Sequence, residues 1–142
     1  MFHQLSNLAK NQLDIFSTIN FNNETNVGQL LFVLDEMNTL YKSIDMYCKQ
    51  LMDTRSNIQL RNSRILEEKT EEPDIYLRNE SSVRTNESSI EKYTDMIAEL
   101  SGHLNGIEFY NNVIISRLET IILRLPLDQQ LQIISRINAI FS

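Results

Sequence analysis

Apolar side chains recur at alternating four- and three-residue steps twice in this chain, and that repeat constrains its fold more than any single residue. The first run is Leu30, Leu34, Met37, Tyr41, Ile44, Cys48, Leu51, Arg55, Ile58, Asn62 and Ile65. The second is Ile90, Tyr93, Ile97, Leu100, Leu104, Ile107, Asn111, Ile114, Leu118, Ile121 and Leu125. A 3.5-residue spacing lays a seam along one side of a slightly supercoiled α-helix, and the seam is stable only when another helix covers it. With 42% hydrophobic content in 142 residues the chain can build one core. Three glycines and two prolines are too few for a turn-rich β-sandwich or barrel. The expected class is all-α.

Boundary signals divide the chain further. Phe2, Leu5, Leu8, Ala9, Phe16 and Ile19 share one face, which predicts a short amphipathic helix over 2–19. Asn26, with Gln29 three residues on, has the form of a capping box and opens a long helix over 27–69, stopped before Pro73. Residues 70–88 are polar, acidic and rich in Ser and Asn, and read as a loop; Ser88 and Glu91 form a second capping box for a long helix over 89–125. Pro126 interrupts, Asp128 can cap, and a C-terminal helix over 128–141 follows. At 1.5 Å per residue the long helices span about 55–65 Å each, so a single elongated domain over 1–142 is expected.

The width of the apolar faces sets the pairing. Val33, Leu40 and Tyr47 widen the first half of the first long helix, whereas Val113, Ile115, Ile122 and Leu123 widen the second half of the other. An antiparallel coiled-coil hairpin puts the broad halves together, and the short N- and C-terminal helices then complete a helical bundle at that end. Arg55, Asn62 and Asn111 interrupt the seams and are candidates for fixing register and partner choice. Gly102, Gly106, Phe109 and Val113 repeat on the opposite face of the second long helix. A glycine inside a helix costs roughly 1 kcal/mol relative to alanine, so this stripe is a candidate groove for another helix.

Chemistry-bearing patterns do not accompany these runs. His3 and His103 are far apart in sequence and no His, Cys or carboxylate cluster has metal-ligand spacing, so no catalytic residue, metal or cofactor is expected. Cys48 lies in a seam, a poor setting for a reactive thiol. A net charge of −6 argues against nucleic-acid binding, and eight of the acids fall within residues 67–91 against three bases. The N-terminus lacks a signal-peptide pattern and no run of 18 apolar residues occurs, which predicts a soluble intracellular protein, nuclear or cytoplasmic. The functional expectation is a non-enzymatic subunit of a eukaryotic multiprotein complex, of kinetochore or tethering type, that binds other helical or coiled-coil proteins as a homo- or hetero-oligomer. The alternative is a membrane-surface module inserting Phe2, Leu5 and Phe16 of the N-terminal helix.

Overall fold

The structure, a computed structural model, describes residues 1–68 and 72–142. It contains α1 (Phe2–Phe16), a single 3-10 turn (Phe21–Asn23), α2 (Val27–Glu67), α3 (Pro73–Ile122) and α4 (Leu127–Ile140). No strand occurs among the described residues. The fold is the expected all-α one, with α2 and α3 packed as an antiparallel hairpin. Its residues divide into two compact units, Met1–Asp45 with Gly102–Ser142, and Met46–Ser101.

The first unit is a four-helix bundle. Ser6 and Phe16 of α1 meet His103 and Tyr110 of α3 in the same order, so these two helices run parallel. Asn38 and Lys42 of α2 meet the carbonyls of Ile140 and Ser142, which tie the C-terminus of α4 to α2. Leu30, Leu34, Met37 and Ile44 from the α2 seam are buried with Ile107, Ile114 and Leu118 from the α3 seam. Leu31, Leu40 and Ile122 lie outside the seams and are buried too, because α1 and α4 give them cover that a two-helix pair lacks. Phe16, Phe21 and Tyr110 pack edge to face with centroids 5.5–6.4 Å apart, closing the connector after α1 onto α3. Arg117 Nε donates to the Glu24 carbonyl at 2.7 Å and fixes the same connector.

The second unit is a pair of helices with a narrow core of Cys48, Leu51, Val83, Ile97 and Leu100. Its direction is set by polar contacts. Arg55 Nη1 donates to Thr94 Oγ1, and Asn62, further along α2, pairs with Val83 and Asn86, earlier in α3. The helices are therefore antiparallel.

Several boundaries differ from those the sequence suggests. The expected helix end at Lys69 and the start of the expected loop lie outside the described residues. From Pro73 through Ser88 that expected loop is helix, since α3 begins at Pro73. Proline suits the first helical position, where its missing N–H would be unpaired anyway, and Asp74 lies in the first turn, where the helix dipole favours an anion. Glu80 and Arg84 pair one turn apart at 2.7 Å. The seam itself continues backwards through Ile90, Asn86, Val83, Asn79 and Tyr76. Ser88 and Glu91 accordingly sit mid-helix and start nothing.

At the other ends, α1 stops at Phe16, where the Ser17 and Thr18 hydroxyls donate to the Asp14 and Ile15 carbonyls at 2.6 and 2.7 Å and terminate the last turn. Asn26 caps α2 through its Oδ1, which accepts from Gln29 N–H at 3.1 Å. Its own N–H goes to the Glu24 carboxylate at 2.9 Å. α3 ends at Ile122, and α4 starts with Pro126 at the cap position, leaving Asp128 in the first turn.

The helical assignment of this segment is directly testable. Amide hydrogen exchange of Ser81–Ser89 is expected to be slowed well below the unstructured rate, because these N–H groups are bonded within α3. Exchange at the unstructured rate would restore the loop.

Candidate helix-binding surfaces

The four residues of the glycine stripe do not share one environment. At Gly106 an added Cβ would lie 3.0 and 3.2 Å from the two terminal carbons of Leu13, so α1 itself makes the close approach there. At Gly102 an added Cβ would meet nothing within 4 Å. Phe109 is 61% exposed and touches Tyr110 edge to face, and Val113 is half-buried. The stripe is thus occupied by the chain's own helix at Gly106 and open at Gly102 and Phe109.

The three polar seam residues also part company. Asn62 is buried and satisfied: Asn86 Nδ2 donates to its Oδ1 at 2.7 Å, and its own Nδ2 donates to the Val83 carbonyl at 3.4 Å. Arg55 reaches Thr94 at 3.3 Å, but its Nε is buried without a hydrogen-bond partner. Asn111 is buried with its Oδ1 unpartnered. An unsatisfied buried polar atom costs about 1–3 kcal/mol, whereas a paired one is close to neutral. Of the three, Asn62 is the one whose side-chain oxygen and nitrogen are both paired with α3.

Two features were not singled out from the sequence. One is the contact between Ser6 Oγ and His103 Nε2, at 2.9 Å, joining α1 to α3. A serine beside a histidine invites comparison with a nucleophile and base. Here, however, Ser6 follows the first bonded N–H of α1, Leu5 to the Met1 carbonyl at 3.0 Å, so its own N–H is bonded within the helix and does not form an oxyanion hole beside its hydroxyl. The pair serves as a staple between helices. No pattern in the sequence links positions 97 apart, so this contact had no signal to find.

The other feature is the outer face of α4. Ile133, Ile137 and Ile140 are half-buried, and none of the helix's residues is fully buried. On the other side Leu127, Leu131, Ile134 and Phe141 are 69%, 58%, 42% and 42% exposed. With Asn138 they follow the same four-three spacing as the two long seams, a signal visible in the sequence once α4 is read as two-faced. It is a seam without a covering helix.

Among the described residues no group of three or more His, Cys, Asp or Glu side chains is placed to hold a metal ion, and no helix is long and apolar enough to cross a membrane. No protein-family model, curated protein or solved structure matches the chain.

The glycines make opposite predictions. Gly102→Ala has room and gains helix propensity, so it is expected to raise stability by about 0.5–1 kcal/mol. Gly106→Leu drives into Leu13 and is expected to lower stability by about 1–3 kcal/mol. Urea denaturation of both variants checks the pair, and equal shifts would contradict the placement of α1.

Proposed function

We propose that this chain is a non-enzymatic assembly subunit of a multiprotein complex, recruited by a partner protein's helix that lies along α4. The observation that carries the reading is the uncovered seam of Leu127, Leu131, Ile134 and Phe141. Fully burying a side chain of this size is worth about 1.5–3 kcal/mol, and a heptad-spaced stripe is best buried by another helix. Asn138 would play at that interface the part Asn62 plays within the chain, penalising partners that leave it unpaired. An intracellular complex of kinetochore or tethering type in a eukaryotic cell is the setting that fits a small, acidic, wholly helical chain.

The membrane-surface alternative draws less support. It requires Phe2, Leu5 and Phe16 to insert together, yet Phe16 is buried against Phe21 and Tyr110, and Ser6 and Ala9 on the same helix are buried as well. Insertion would cost the bundle that packing.

The test is affinity purification of the tagged full chain from its source cells, beside a Leu131→Glu/Ile134→Glu variant. The wild type is expected to retain a stoichiometric helical partner and the variant to lose it. Because both side chains are partly exposed, the variant's own stability should change by no more than about 1 kcal/mol. Recovery of the same partners by both proteins, or of none by the wild type, would overturn the reading.

A further inference from the structure

Within the second unit, the end of α2 and the start of α3 leave an open groove of about 500 Å3 that is distinct from the α4 face. Ile65, Leu66, Tyr76 and Val83 form its apolar surface, and Glu68, Glu80, Arg84 and Glu87 stand around it. Ile65 is the last residue of the α2 seam, and Tyr76 and Val83 continue the α3 seam backwards. The groove is therefore a stretch of seam that the two helices do not fill. Val83 is buried, but Tyr76, two seam positions earlier, is 59% exposed. An open seam of this kind has the shape and the residue types to receive a third helix, with the tyrosine as an amphipathic anchor at its edge.

Charge decides which helix. Glu80 and Arg84 are 2.7 Å apart and largely spend their charges on each other. That leaves the rim with Glu68, just past α2, and Glu87, on α3, with no second base among the described lining residues. Outside the lining, Glu67 and Asp74 are offset by Arg64 and Arg78 on the same two helices, so the excess of acid lies in the lining itself. An acidic helix would bring like charges together at the edge of an apolar site, and a phosphate-bearing surface would be repelled for the same reason. A basic helix gains both the apolar contact and the pairing.

We infer that this groove binds a basic amphipathic helix of a partner protein, seating large apolar side chains against Tyr76 and Val83 and pairing lysine or arginine with Glu68 and Glu87. The test uses the full chain, isotope-labelled for NMR, titrated with a synthetic helical peptide that carries leucine along one face and lysine elsewhere. Two counterparts carry glutamate in place of lysine, or serine in place of leucine. The leucine-lysine peptide should give saturable shift changes at the amides of Ile65, Tyr76, Asn79 and Val83. Both counterparts should bind at least about tenfold more weakly, as should the leucine-lysine peptide to Tyr76→Ser and to Glu68→Lys/Glu87→Lys. These side chains are exposed, so both variants should melt as the wild type does. Equal binding of the glutamate peptide would overturn the inference, as would shift changes scattered over the acidic residues without saturation. Changes at the same amides on raising protein concentration alone would assign the groove to a second copy of the chain and overturn it as well.

Discussion

A helix whose apolar residues repeat every 3.5 positions has to be covered along that line, and here the α2 and α3 seams cover one another. None of the seam residues from Leu30 to Ile65 or from Ile90 to Leu125 is fully exposed, including the polar ones. What differs between the units is how much more than a seam is buried. In Met46–Ser101 one helix faces one helix, and little beyond the seam is enclosed. In the unit formed by Met1–Asp45 and Gly102–Ser142, α1 and α4 enclose Leu31, Leu40 and Ile122 in addition. The larger share of hydrophobic stabilisation therefore resides in the four-helix unit, and local opening should be easier in the two-helix one.

Where burial is thin, polar pairing supplies the specificity that close packing supplies elsewhere. A seam of interchangeable aliphatic residues tolerates slippage by a turn. Such a slip would separate Asn62 from Asn86 and from the Val83 carbonyl, leaving buried amide groups unpaired at about 1–3 kcal/mol each. Asn111 illustrates the opposite case. Its unpartnered Oδ1 lies in the unit with the larger core, where buried apolar area rather than polar pairing carries the packing.

Helix identity was legible in the periodicity, and pairing direction in the width of the apolar faces, both of which the sequence displays openly. The start of α3 was not. Asn79 and Asn86 occupy seam positions there, so the apolar repeat looks broken, while the serines and glutamates between them resemble a linker. Their compatibility with helix comes from α2: Asn86 finds its partner in Asn62, twenty-four residues away, and Val83 is buried only because α2 lies beside it. Pro73 was read as a stop signal for one helix when it is also a good first residue for the next. Among the candidate surface residues, the need for close approach at a glycine was legible, but not which helix would make it. That depends on Leu13 reaching Gly106 through the bundle. The α4 stripe was present in the spacing and was masked by the helix's second apolar face.

Both candidate binding surfaces are places where the covering rule goes unmet, on α4 and at the mouth of the α2–α3 pair, and both require that the α2 and α3 seams close within one chain. Chemical cross-linking measures this directly. With Cys48→Ser removing the native thiol, Arg55→Cys and Thr94→Cys place one thiol on each helix at positions now in side-chain contact. A short bis-maleimide applied to an equal mixture of light and isotope-labelled chains should give a monomer whose joined peptides come from a single chain. Joined peptides of mixed isotope origin, in a covalent dimer, would show that the seams close between chains and would contradict the fold.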